Sequence, residues 1–230
     1  MIDVIGLNLN DALEKSKFER LMSYVSTEKR ERIRRFHRYE DVQRTLIGDI
    51  LIRYLLCQRL KIKNQKLIFG INEYGKPFLK NCKDMEFNIS HSGKWVACSI
   101  DNLPVGIDIE QIKPIDLGIA ERFFSKEEAK SLMTKCVAER EAYFYDLWVL
   151  KESYIKAVGK GLSIPLNTFT IRILKDNITL YTTHEPDNYY FKQYPMDKDY
   201  KMAVCSRRNE FPRNISFINV NELYEEVLLL

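Results

Sequence analysis

Apolar and acidic residues alternate through Gly106-Ile107-Asp108-Ile109-Glu110. That is the period of a strand, and a strand there places Asp108 and Glu110 on one face. Further along, 138–158 carries the period of a helix, with Leu147, Leu150, Tyr154 and Val158 in one stripe widened by Trp148 and Ile155. Glu152 and Lys156 stand one turn apart, at and just beyond the edge of that stripe. Lys151 falls inside the apolar arc, where a lysine needs a carboxylate partner or has to reach water.

The rest of the chain reads in the same way. Residues 2–9 predict a strand. Helices follow over 28–39, with Ser26 or Thr27 as N-cap, and over 41–60, where Leu46, Ile50, Ile52, Leu55 and Leu56 supply the apolar stripe. Strands are predicted at 67–71 and 85–90 around the turn Glu73-Tyr74-Gly75-Lys76-Pro77, and at 95–100 and 105–110 around Asp101-Asn102-Leu103-Pro104. Helical pattern returns at 116–134 and 138–158, and Gly159-Lys160-Gly161 stops it. Antiparallel strands at 167–181 and 189–206 precede a polar 207–216 and a short tail. The expected class is α+β.

A faint repeat suggests that this class is built twice. Gly6-Leu7-Asn8-Leu9-Asn10 resembles Gly106-Ile107-Asp108-Ile109-Glu110, with amides in place of carboxylates. Arg35-Phe36 with Glu40-Asp41 resembles Arg122-Phe123 with Glu127-Glu128, and Lys94 with Cys98-Ser99 resembles Lys201 with Cys205-Ser206. Three matches in one order predict two similar α+β halves, 1–103 and 104–230, related by a pseudo-twofold axis, with the acids in the second half and the site where the halves meet. A duplicated chain already contains both sides of that interface, which favours a monomer.

Composition narrows the function. The 230 residues are 45% hydrophobic and 30% charged, ordinary for a globular protein, and a net charge of +4 is too mild to call for nucleic acid. The five cysteines are scattered, with no C-x-x-C spacing, which argues against a disulfide framework or a zinc site. No run approaches 18 apolar residues and the N-terminus has no signal pattern, so the expectation is a cytoplasmic protein with no membrane partner. Basic residues gather at Lys29, Arg30, Arg32, Arg34, Arg35, Arg38 and Arg44, either as a solvated helix face or as an anion-binding patch.

Asp108, Glu110 and Glu152 with Lys156 are the parts needed to hold Mg2+ against a phosphate, since magnesium takes a few carboxylates and completes its shell with phosphate and water. The plain alternatives are a solvent-facing strand edge and a surface ion pair. Phe87-Asn88-Ile89-Ser90-His91-Ser92-Gly93 ends a strand in a polar turn, either a capped surface turn or a phosphate-binding one. No G-x-S-x-G elbow, Walker loop or kinase signature is present.

Together these segments resemble the 4'-phosphopantetheinyl transferases, in particular the two-halved Sfp-type group that activates nonribosomal peptide synthetases. The resemblance rests on Val105-Gly106-Ile107-Asp108 and Trp148-Val149-Leu150-Lys151-Glu152-Ser153-Tyr154-Ile155-Lys156. It extends to Glu28-Lys29-Arg30-Glu31-Arg32, Arg44-Thr45-Leu46, Tyr74-Gly75-Lys76-Pro77, Phe87 to Gly93 and Gly159-Lys160-Gly161-Leu162-Ser163. It implies Mg2+-dependent transfer of phosphopantetheine from coenzyme A to a serine of an apo peptidyl or acyl carrier protein, releasing 3',5'-ADP. By the same resemblance, Asp108, Glu110 and Glu152 would ligate the metal, and Lys156 would contact the diphosphate. Lys29, Arg32, Thr45, Ser90 and His91 would surround the 3'-phosphate and adenosine, and Gly75, Lys76 and Pro77 would flank the adenine and phosphates. Glu152, directly or through a metal-bound water, is the candidate base, and the stretch from Gly159 to about residue 190 would meet the carrier. Val149 departs from the small polar residue usual there. The alternative is a non-catalytic coenzyme A- or carrier-binding module of the same fold.

Overall fold

The computed structural model describes the chain apart from residues 11–12, 176 and 185–187. Its first half opens with β1 (Asp3–Asn8), α1 (Lys15–Met22), α2 (Thr27–Arg34) and the long α3 (Tyr39–Leu60). Glu40 and Asp41 sit in the first turn of α3, where acids complement the helix dipole, and Lys61 ends it in a left-handed conformation. The hairpin β2 (Phe69–Ile71) and β3 (Pro77–Leu79) follows, then β4 (Glu86–Ser92) and β5 (Trp95–Asp101). The second half contains β6 (Val105–Gln111), α4 (Ala120–Phe123), α5 (Lys126–Thr134), α6 (Val137–Val158), the hairpin β7 (Thr170–Leu174) and β8 (Asn177–Tyr181), β9 (Tyr190–Gln193) and β10 (Tyr200–Ser206).

The two halves repeat one plan. In the first, β5 lies antiparallel between β1 and β4; in the second, β10 lies antiparallel between β6 and β9. Each sheet carries a 22-residue helix, α3 or α6. Leu46, Ile47, Ile50 and Leu51 of α3 bury against Ile5, Leu7, Cys98 and Ile100, while Val149, Leu150 and Tyr154 of α6 bury against Ala203 and Cys205. A third apolar cluster joins the halves through their remaining sheet faces, with Ile2, Val4, Trp95 and Ala97 from one and Val105, Ile107, Ile109, Met202 and Val204 from the other.

The repeat is real in topology but differs in detail from its sequence matches. β1 pairs Ile5 with Cys98, whereas β6 pairs Gly106 with Cys205. Cys98 and Cys205 each face their own half's long helix, so Gly106 corresponds to Ile5 and not to Gly6. Asp108 and Glu110 therefore correspond to Leu7 and Leu9. A one-residue slip moves a side chain to the opposite sheet face, and Asn8 and Asn10 are on the wrong one. The Arg-Phe match fails too, because Phe36 precedes the long α3 and Phe123 precedes the short α5.

Further differences follow from local chemistry. The helix expected over 116–134 is interrupted at Phe124, which is extended, and Ser125 restarts it as the N-cap of α5 in a capping box with Glu128. The turn at 73–77 joins β2 to the short β3, not to β4. The chain's end is no loose tail. β11 (Ser216–Ile218) runs parallel to β1, and α7 (Val220–Leu228) places Leu223 and Val227 in the first half's core. Residues 216–228 thus pack with the half opposite to the one their sequence position suggests. No helix among the described residues is long and apolar enough to cross a membrane.

Candidate active site

The site is built where β6 meets α6, and Gly106 makes that meeting close. A Cβ on Gly106 would lie 2.1 Å from the Ser153 carbonyl oxygen and 2.4 Å from the Ala157 backbone nitrogen. Only a glycine allows the helix backbone to rest on the strand there. Two residues along, Asp108 consequently comes under the last turns of α6. Its Oδ1 accepts from the Lys156 ammonium at 2.5 Å and from Ser90 Oγ at 2.8 Å. The Lys156 Nζ also donates to the Ile107 carbonyl at 3.3 Å and to Ser90 Oγ at 3.2 Å.

Asp108 is 3% exposed, and its second oxygen, Oδ2, is buried with no hydrogen-bond partner. Such an atom costs stability unless something binds it. Glu110 accepts from Ser92 Oγ at 2.7 Å through Oε2. Burial, then the Asp108 charge, raises its pKa. Glu152 is half-buried and its pKa is pushed up to about 7, first by burial; Lys156 opposes this, while Asp108 and Glu110 add to it. Three carboxylates therefore share one field, and the Lys156 ammonium acts on both Glu110 and Glu152 within it.

This set fits a hard divalent cation: its donors are carboxylate oxygens, one of them orphaned, and their mutual repulsion would be relieved by added positive charge. Among the described residues no three acidic, His or Cys side chains are already drawn together tightly enough to grip an ion. The Lys156 ammonium supplies the neutralising charge on Asp108 instead.

The residues expected around the nucleotide fall into two groups. Lys29, Arg32, Gly75 and Pro77 line one cavity of about 720 Å3, with Arg20, Arg53 and Asp49. Lys29 is paired there with Asp49 at 3.1 Å. Thr45 and His91 are outside its lining, as are Asp108, Glu110, Glu152 and Lys156. His91 is exposed on β4, yet crowding by protein atoms, then the Arg44 guanidinium, hold its imidazole below the usual range, with Lys156 adding to the effect. Arg44 itself donates to the Gly93 carbonyl at 2.6 Å.

Two expected contacts are already engaged within the protein. Ser90 is buried and its hydroxyl serves Asp108. Lys76 donates to Glu86 Oε2 of its own half at 3.1 Å and reaches across to the other half's Ala157 carbonyl at 3.2 Å and Val105 carbonyl at 3.4 Å. Beside it Asn72 Nδ2 donates to the Gly159 carbonyl at 2.8 Å, so the β2–β3 turn caps the end of α6.

Lys151 has a carboxylate partner. It is fully buried, with Nζ 2.6 and 2.7 Å from the Glu128 oxygens and 2.8 Å from the Phe169 carbonyl. Burial lowers its pKa to about 8. Glu128 also accepts from the Ile171 amide, so the pair ties α6 to α5 and β7. Val149, the departure from the usual pattern, is fully buried in the α6 core.

Asn88, Ser92 and Arg44, which the sequence offers only within a polar turn and a basic cluster, have individual places here. Asn88, Ser90 and Ser92 repeat at every second position of β4, and that alternation, matching the one in 106–110, was the available signal.

Residues 104–205 match the 4'-phosphopantetheinyl transferase superfamily, and residues 13–102 match the family described as 4'-phosphopantetheinyl transferase, N-terminal. The chain is 45% identical to the 4'-phosphopantetheinyl transferase Sfp of Bacillus subtilis (strain 168), over 96% of this chain and 99% of that one. It is 40% identical to the 4'-phosphopantetheinyl transferase gsp of Aneurinibacillus migulanus, over 90% of this chain and 86% of that one. A solved holo-(acyl-carrier-protein) synthase from Bacillus anthracis in complex with CoA (3',5'-ADP) is 19% identical, with a TM-score of 0.38 over 45% of this chain and 94% of that one. That likeness is too slight to carry over a fold or a ligand.

Proposed function

The chain belongs to the 4'-phosphopantetheinyl transferase superfamily, and from that premise we propose that it moves the phosphopantetheine of coenzyme A onto a serine of an apo peptidyl or acyl carrier protein, releasing 3',5'-ADP. The observation that carries this reading is the convergence of Asp108, Glu110, Glu152 and Lys156 from β6 and α6, with an orphaned Asp108 oxygen and a Glu152 pKa near neutrality.

Asp108, Glu110 and Glu152 would hold Mg2+. When bound, the ion supplies charge neutralisation on the diphosphate and fixes its orientation for in-line displacement. The remaining chemistry belongs to the chain and its substrates. The carrier serine oxygen attacks the pantetheine-side phosphorus; its new bond to phosphorus forms as the bond to the departing 3',5'-ADP oxygen breaks. Glu152 takes the serine proton. Burial raises its pKa, which makes the carboxylate a stronger proton acceptor than an exposed one. Lys156, an ammonium one turn away, stabilises charge on the leaving phosphate. Lys29, Arg32, Gly75 and Pro77 would hold the adenosine end in their cavity, and Thr45 and His91, with Arg44 beside it, would receive the 3'-phosphate. Ser90 and Lys76, with their protein partners, serve that end only by exchanging them.

We place carrier contact on 159–190, of which 176 and 185–187 are outside the described residues; Leu162, Leu174 and Tyr181 are exposed there. The internal repeat supports one complete site per monomer.

The test is to incubate an apo carrier protein with the chain, coenzyme A and Mg2+ and to follow both products by mass spectrometry. Stoichiometric phosphopantetheine adduct and 3',5'-ADP are expected. Bound coenzyme A with no adduct would favour the non-catalytic module.

A further inference from the structure

β6 is an edge strand of the second half's sheet, and the neighbour along its free edge is β4 of the first half. The junction is made by side chains in place of a backbone ladder. The Ile107 amide donates to Asn88 Oδ1 at 2.9 Å, the Ile109 amide to Ser90 Oγ at 3.3 Å and the Gln111 amide to Ser92 Oγ at 3.1 Å. The spacing between partners is constant at 19, so the strands run parallel and each alternate β4 side chain meets the next alternate β6 amide.

The carboxylates lie between those amides. Ser90 Oγ donates to Asp108 Oδ1 and Ser92 Oγ to Glu110 Oε2. A serine hydroxyl has one proton and two lone pairs. In each serine the proton is committed to one carboxylate oxygen while a lone pair holds the β6 backbone. The hydroxyl cannot rotate without breaking one of the two bonds. Each carboxylate is therefore held by its serine through one oxygen; the other oxygen of Asp108, Oδ2, is buried and unpartnered, and the Ser92 bond engages Oε2 of Glu110 and not Oε1.

We propose that Ser92 is a positioning residue, holding Glu110 so that it presents Oε1 to a divalent cation, as Ser90 leaves Oδ2 of Asp108. The inference rests on the metal role given above to Asp108, Glu110 and Glu152. It makes the seam between the halves part of the metal site: β4 of one half sets the direction of the acids of the other.

The probe is Mn2+, titrated by electron paramagnetic resonance into the full chain with coenzyme A and no carrier. Ser92→Ala is expected to weaken Mn2+ binding about ten-fold, the lower end of what loss of a ligand's hydrogen-bond partner does to metal affinity. Coenzyme A binding in EDTA should be unchanged. Ser92→Thr, which keeps the hydroxyl, should restore Mn2+ affinity, and Ser92→Cys, nearly the same size, should not. In a Glu110→Gln background, Ser92→Ala should cost nothing further, because the serine acts through Glu110. Mn2+ affinity unchanged in Ser92→Ala, or an equal loss in the Glu110→Gln background, overturns the proposal and leaves the metal assignment standing. A wild type that binds no Mn2+ overturns the metal assignment, and the proposal with it.

Discussion

Substituting Gly106 by alanine tests how the site is assembled. The added methyl would meet the Ser153 carbonyl oxygen at 2.1 Å, the Ala157 nitrogen at 2.4 Å and the Lys156 carbonyl carbon at 3.0 Å. All three are backbone atoms of one helix, so no side-chain rotation relieves the clash and α6 has to withdraw by about 1 Å to restore ordinary contact. Overpacking of this kind costs about 3 kcal/mol, at the upper end of the usual range. For a chain of this size that lowers Tm by roughly 6–12 °C. The same withdrawal lifts Glu152 and Lys156 from Asp108 and Glu110, and a misplacement of about 1 Å is worth on the order of 10²-fold in turnover. Gly6→Ala is the control: the nearest atoms to its methyl belong to the side chains of Phe217, at 3.1 Å, and Trp95, at 3.7 Å, which can adjust. Thermal melts and transfer of a fluorescent phosphopantetheine conjugate to an apo carrier read both effects. Gly106→Ala melting and transferring like wild type, or no worse than Gly6→Ala, would show that the site does not depend on this close approach of β6 and α6.

Other consequences can be measured separately. Glu152 has a folded pKa of about 7, raised from 4.5, so the folded state holds the proton more tightly and stability falls as pH rises between those values. In EDTA, Glu152→Gln should therefore melt above wild type at pH 8, with the gap closing towards pH 5; a constant gap contradicts this. Lys151→Met leaves Glu128 buried and unpaired, which costs about 3–5 kcal/mol, and adding Glu128→Leu should recover most of the loss in urea titrations. Lys76→Met removes the ammonium from the Ala157 and Val105 carbonyls and from Glu86, and should lower the urea midpoint by the equivalent of about 1–3 kcal/mol.

The acids were legible because each obeys a local period. Asp108 and Glu110 share a strand face by alternation, and Glu152 and Lys156 share a helix face by their spacing. The glycine that lets these faces touch is legible only as part of a motif, since its role depends on a helix backbone nearly fifty residues away. Ser90 and Ser92 illustrate the limit: their alternation puts them on one face of β4, but it does not identify their partners, which lie on a neighbouring parallel strand of the other half. The repeat was visible in the β5 and β10 cysteines but misaligned by one residue in β1, where Gly6 and Gly106 invite a match that the pairing register denies. The last strand and helix were missed because the polar stretch before them hides their return to β1 and to the first half's core.

The proposed function assigns the transfer step to Glu152, in the field of Asp108, Glu110 and Lys156. Intact-mass spectrometry of an apo carrier, timed with wild type and with Glu152→Ala at saturating coenzyme A and Mg2+, tests it most directly. The expected result is full conversion by wild type and a rate lower by about 10²-fold or more for the variant, with its binding of coenzyme A in EDTA retained. Conversion by Glu152→Ala at the wild-type rate would contradict it.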